Sequence, residues 1–219
     1  MASPSTQRLN LLFPPAQFQS LCRSISALEA IISPEWVDRY YSYQNDWSES
    51  EEFFEMRNGA GDYVMVCFRP EGIVINGFAH ESKRDDLVAG MGMMTGLPPF
   101  FHEFMFEEPV KTIGSTFCIW ALKDENEWTI GNVAFPDGPF GDGSQLLLSV
   151  FDGLPESYRN WALDYYDELE GLDLELVASI YRFEPITVDL ALALNPDLDD
   201  WESLSKDLDS IGYPYQNLY

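Results

Sequence analysis

The stretch Asp62–Ser82, DYVMVCFRPEGIVINGFAHES, constrains the fold of this chain more than any other. Every residue from Tyr63 to Phe68 is apolar, β-branched or aromatic. A run this short fits a buried strand or a buried helix, and its flanks decide between them. Gly59-Ala60-Gly61-Asp62 precedes it and Pro70-Glu71-Gly72 follows it. Proline presets φ for the second position of a turn and glycine accepts positive φ, so both flanks read as turns. Ile73–Phe78 returns as a second strand, and Glu52–Arg57 alternates as a third. Residues 52–79 therefore predict a three-stranded antiparallel meander. The unbroken apolar run predicts that its middle strand is buried on both faces.

A second hairpin is predicted from Ser115–Leu122 and Trp128–Phe135, turned by Asp124-Glu125-Asn126. Joined to the first, it gives a sheet of about five strands. Helical periodicity surrounds the sheet. Phe18, Leu21, Cys22, Ile25, Leu28 and Ile32 recur at three-and-four spacing. Ser33-Pro34 reads as the start of a short second helix through Trp36 and Tyr40. Pro98-Pro99 opens a helix reaching Met105, and another begins near Pro155 with Tyr158, Trp161, Ala162, Tyr165 and Leu169 on one face. Leu172–Phe183 is read as helix. Thr187 caps a helix that must stop by Asn195, because Pro196 follows. Asp199 to Glu202 resembles a capping box before the stripe Trp201, Leu204, Leu208 and Ile211. Gly212 and Pro214 are its stop signals. The expectation is an α+β fold: one domain over residues 1–219, a mainly antiparallel sheet, helices at the N- and C-terminal ends. Residues 1–15 are expected to form a loose arm.

Charge narrows the function. Lys+Arg is 12 and Asp+Glu is 37, a formal net charge of −25. Such self-repulsion works against a compact state and disfavours nucleic acid and anionic membrane as partners. A basic protein fits it. Residues 161–219 hold 14 acidic groups against Arg182 and Lys206, a net of 2 − 14 = −12. Asp164, Asp167, Glu168, Glu170 and Asp173 form one acidic patch there, and Asp199, Asp200 and Glu202, with Asp197, form another. These are the candidate partner-binding residues. A basic partner steered by them would associate faster and more selectively; acidity serving solubility alone is the competing explanation. Asp46, Glu49, Glu51, Glu52 and Glu55 add a further acidic run without a basic residue.

No catalytic signature emerges. His80-Glu81 and His102-Glu103 are the histidine sites, and neither shows H-E-x-x-H or Cys/His metal spacing. A metal-dependent hydrolase using His80, Glu81 and His102 would need all three to converge. A G-x-S-x-G elbow is absent, so no serine nucleophile is supported. Asp137 and Asp142 in PDGPFGDG lack the EF-hand spacing and read as a glycine-rich turn. Cys22, Cys67 and Cys118 sit in apolar runs and read as reduced core cysteines. No catalytic residue, metal ligand or cofactor is assigned. The first residues, MASPSTQRLNLLFPPAQ, carry too short an apolar run for a signal peptide. No window reaches the ~18 apolar residues of a spanning helix. A cytoplasmic location is expected.

Four short stretches carry a resemblance: Gly77-Phe78-Ala79-His80-Glu81, Thr116-Phe117-Cys118-Ile119-Trp120, Leu194-Asn195-Pro196-Asp197 and Ile211-Gly212-Tyr213-Pro214. Together with the acidity and the lack of catalytic spacing, they make the chain similar to immunity proteins of bacterial toxin systems. They also resemble acidic bacterial α+β proteins with a central Trp/Phe-rich antiparallel sheet. The resemblance implies a non-enzyme that binds and neutralises one toxin, often a basic nuclease. A non-catalytic scaffold or regulatory subunit is the remaining alternative.

Overall fold

The computed structural model describes residues 2–82, 92–132, 141–167, 169 and 171–218. Six strands form one antiparallel sheet in sequence order: β1 (Tyr41–Ser48), β2 (Glu51–Arg57), β3 (Tyr63–Arg69), β4 (Gly72–Phe78), β5 (Phe117–Leu122) and β6 (Thr129–Ile130). The eight α-helices among the described residues are α1 (Pro15–Ile32), α2 (His102–Phe106), α3 (Val110–Ile113), α4 (Ser144–Leu147), α5 (Pro155–Tyr165), α6 (Leu174–Tyr181), α7 (Val188–Leu194) and α8 (Trp201–Ile211). The fold is α+β, as expected.

Successive side chains of a strand point to opposite faces, and both faces of this sheet are covered. Val64, Val66 and Phe68 of β3 join the main core, with Phe18, Ile25 and Leu28 of α1. Met65 and Cys67 point the other way, into a second core with Phe101, Phe104 and Met105. Two covered faces explain why the Tyr63–Phe68 run does not alternate. β3 pairs with β4 through Val66↔Ile75 and with β2 through Val66↔Phe54, so it lies in the middle of the expected meander. All three cysteines are buried and unbridged. Between β4 and β5, Gly77 faces Phe117. A Cβ on Gly77 would lie 1.9 Å from the Phe117 ring, so only glycine leaves that ring its place.

The helices follow their sequence signals closely. Pro15 occupies the first turn of α1, where its missing N–H is no loss. The face of α1 is buried as predicted, except that Ile31 is fully covered where Ile32 was expected. Thr187 Oγ1 accepts the Leu190 N–H, and α7 stops before Pro196. α8 is capped by Asp200, whose Oδ1 accepts the Ser203 N–H at 2.9 Å, one residue beyond the expected Asp199–Glu202 box. Gly212 closes α8 at φ 72°, the left-handed region that favours glycine.

Three expectations change. The sheet has six strands rather than about five, because the sequence predicts no strand over Tyr41–Ser48, which directly follows the helix expected through Tyr40. Only a three-residue 3-10 turn, Trp36–Asp38, forms after Pro34. The carbonyls that a helix would use are taken by a side chain: Arg39 Nε donates to Ser33 O and Nη2 to Pro34 O. The next amides, of Tyr40 and Tyr41, donate to Glu29 Oε2. Tertiary partners thus outbid the local helix. Second, the N-terminal segment is docked rather than loose. Thr6 Oγ1 donates to Asp142 Oδ2 at 2.6 Å, and the Phe13 amide donates to Phe151 O at 2.8 Å. Asp142, once weighed as a calcium ligand, is buried and anchors this arm and Ser144. Third, the last strand of the second hairpin spans only Thr129–Ile130; residues 133–135 and Asp137 lie outside the described residues.

Candidate functional site

The site begins at a carboxylate inside the protein. Glu29, in the last turns of α1, is 0% exposed and has no basic partner among the described residues. Four donors replace one. Tyr158 O–H donates to Oε1 at 2.7 Å, and Tyr166 O–H donates to Oε2 at 2.7 Å. The Tyr40 and Tyr41 amides also reach Oε2, at 3.0 and 3.2 Å. Burial raises the Glu29 pKa, and these hydrogen bonds hold the rise down. Burial first, then the nearby Glu29 carboxylate, pushes the Tyr158 and Tyr166 phenols upward, so both stay protonated donors.

This carboxylate gathers an aromatic cluster. Tyr40 packs against Trp161 and Tyr165, each with ring centroids 4.7 Å apart. Trp161 stacks on Tyr165 at 5.2 Å, and Tyr165 meets Tyr166 edge-on at 4.9 Å. The cluster is buried on its Glu29 side and opens outward at Tyr165, which remains 42% exposed. Burial raises the Tyr165 pKa, and then the negative charges of Glu29 and Asp38 raise it further. The exposed end of the cluster therefore sits in a negative potential.

Beside Tyr165 lies a cleft of about 790 Å³ between the end of α5 and the end of α7. Tyr165, Tyr166, Asp167 and Leu169 form one wall; Asn195 and Asp197 form the other. Among the described residues, its lining contains no Lys or Arg. Asn195 Nδ2 donates to Ile31 O at 2.8 Å, which ties the α7 wall to the end of α1. Asn195 Oδ1 in turn accepts the Asp197 N–H. The walls are thus fixed by side-chain hydrogen bonds from two directions.

The acidic residues singled out in the sequence separate into two kinds. Asp167 is exposed in the cleft wall; Asp164 is exposed one residue before Tyr165, outside the cleft lining. The structure places Asp167 and Asp197, one from each patch, on opposite walls of the cleft. Asp173, Asp200 and Glu202 serve the fold instead. Asp173 Oδ1 accepts the Glu175 N–H as the cap of α6. Asp200 caps α8, and Glu202 pairs with Lys206 at 2.6 Å one turn on. Asp199 is exposed beside that cap. Glu168 and Glu170 lie outside the described residues. Sequence reasoning missed Glu29, Tyr40 and Asp38. The available signal was a lone acidic residue inside the apolar run Ile25–Ile32.

The histidines do not share a site with one another. His80 Nδ1 lies 2.8 Å from Asp62 Oδ1, at the end of β4, and its Nε2 lies 4.0 Å from Glu81. His102 Nε2 lies 3.3 Å from Leu97 O, at the start of α2. Among the described residues, no three His, Cys, Asp or Glu side chains are grouped to hold a metal ion. No described helix is long and apolar enough to cross a membrane. Comparison with protein-family models, with curated proteins and with solved structures finds no match.

Proposed function

We propose that this chain is a protein-binding inhibitor of immunity type, which neutralises a basic bacterial toxin by electrostatic and steric occlusion. The observation that carries this reading is the cleft: Asp167, just after α5, and Asp197, just after α7, line opposite walls beside Tyr165 and Tyr166, with no cation in the lining among the described residues. Aromatic faces and carboxylates are both partners for Lys and Arg side chains. Aligned charge accelerates encounter with a basic protein and selects against acidic ones. A Lys/Arg surface that a toxin uses to hold an anionic substrate would be covered by the helical layer. No catalytic step is needed, and no cofactor enters the mechanism.

Capture from host lysate at low salt tests the reading when the wild type is run beside Asp164→Lys/Asp167→Lys/Asp197→Lys. These three residues cap no helix and make no ion pair among the described residues, so reversal leaves the fold intact. The expected result is one basic protein that the wild type retains, high salt releases, and the variant fails to hold. Identical captured sets from both proteins would remove the cleft from the account.

A further inference from the structure

A second surface feature lies on the opposite face of the sheet, away from the main core. The pairing of β1 with β2 slips between Gln44 and Ser48. Such a bulge re-aims side chains, and here it carries Trp47 onto Phe53, with the rings stacked at 4.4 Å. Trp47 stays 42% exposed, and Trp36 stays 45% exposed. The two indoles line one pocket of about 210 Å³, whose other walls include Phe53, Met65, Ile113 and Glu55. Two half-exposed tryptophans in one pocket are uncommon on a surface with no use for them.

The chemistry of the pocket is specific. Its walls are apolar apart from a few polar groups, and among the described residues Glu55 is its single carboxylate. Glu55 Oε1 accepts from Ser42 Oγ at 3.2 Å and lies 3.5 Å from Arg57 Nη1. Among the described residues Oε2 carries no hydrogen bond. The pocket also contains a precedent. The Arg57 guanidinium lies over the Trp36 ring, 3.8 Å from its centroid, and Nη2 donates to Trp36 O. An indole here thus already holds a guanidinium on its face. Within two residues of the lining, the exposed charges among the described residues are Glu35, Asp38, Asp46, Glu49, Glu107 and Glu108, all acidic, and the single basic group Lys111. A second copy of this chain would meet like charge at that rim.

We propose that this pocket receives an arginine side chain of a protein partner. The aliphatic stem packs on Met65 and Ile113, the guanidinium stacks on an indole, and Glu55 accepts its hydrogen bonds. The reading above supplies only the bearer of that arginine, a basic protein; the selectivity of the pocket stands apart from it.

The test is an NMR titration of the full chain, labelled with ¹⁵N, read at the tryptophan indole N–H signals. The probe is acetyl-Gly-Arg-Gly-amide, with its lysine and citrulline counterparts. Trp36→Phe and Trp47→Phe assign the two signals. Both should move saturably with the arginine peptide. Citrulline keeps the planar shape without charge, and should bind about tenfold more weakly. Glu55→Gln should weaken the arginine peptide about threefold, the size of one exposed cation interaction. No movement of either signal overturns the proposal, as does equal binding of citrulline; equal binding of lysine overturns its assignment to arginine. Failure here is distinct from failure of the cleft. A captured basic partner that is lost in the cleft variant but indifferent to Trp47→Ala keeps the inhibitor reading and removes this pocket.

Discussion

The Tyr166 hydroxyl donates to Glu29 Oε2 at 2.7 Å, joining residues 137 positions apart in the chain. Through this bond and its counterpart from Tyr158, a buried carboxylate in α1 positions both ends of α5 and one wall of the cleft. Removing the carboxylate strands two phenols and two amides at once. Glu29→Ala should therefore lower stability by about 3–5 kcal/mol, with Glu29→Gln losing about 2, since the amide keeps one acceptor oxygen. Urea unfolding measures both. A loss below about 1 kcal/mol for the alanine variant would mean that water replaces the carboxylate without strain.

The same residue sets a pH dependence with a defined sign. Burial holds the native Glu29 pKa above its ordinary value. The folded protein thus binds that proton more tightly than the unfolded chain. The resulting stability is complete below the ordinary carboxylate range and is lost as pH rises through the native pKa. Glu29→Gln deletes this titration while leaving the other 36 acidic groups (37 − 1) in place. The stability of wild type minus that of Glu29→Gln should then fall as pH rises above the ordinary carboxylate range. A difference that grows with pH would reverse the assignment.

Acidic residues that cap helices should act on stability rather than on binding. Asp200→Ala removes the acceptor for the Ser203 amide and should lower stability by about 1 kcal/mol. Asp199→Ala should change it by under about 0.5 kcal/mol. The reverse order would place the cap where the sequence alone suggested.

Gly77 provides a packing test in the sheet. Its missing Cβ makes room for the Phe117 ring. Gly77→Ala should cost about 2–3 kcal/mol through overpacking, seen as a lower urea midpoint with an unchanged slope.

The parts of this fold that were legible in the sequence are those governed by local rules. The β3–β4 hairpin announced itself by a continuous apolar run between Gly and Pro turns. Thr187, Pro196 and Gly212 marked their helix ends for local steric and hydrogen-bonding reasons. β1 was hidden because Ser33-Pro34 is a good helix start, while the bonds that prevent the helix come from Arg39 and from Glu29 in another element. The alternation of Tyr41 and Tyr43, both buried, is the strand signal in the stretch that follows the expected helix. The acidity of the candidate site was plain from composition. Its arrangement was not, because Asp167 and Asp197 come to line one cleft only after α6 and α7 return the chain past α5. No spacing rule separates a charge that caps, such as Asp173, from one that faces a cleft, such as Asp167; only the hydrogen bonds do.

The central claim is that the acidic cleft recruits a basic protein, and the association rate of the captured partner tests it most directly. Stopped-flow mixing from about 0.02 M to about 0.5 M NaCl shortens the screening length several-fold. The account predicts a rate constant that falls at least about tenfold across that range, and a much shallower fall for Asp164→Lys/Asp167→Lys/Asp197→Lys. A rate constant indifferent to salt, or the same salt slope in both proteins, would contradict it.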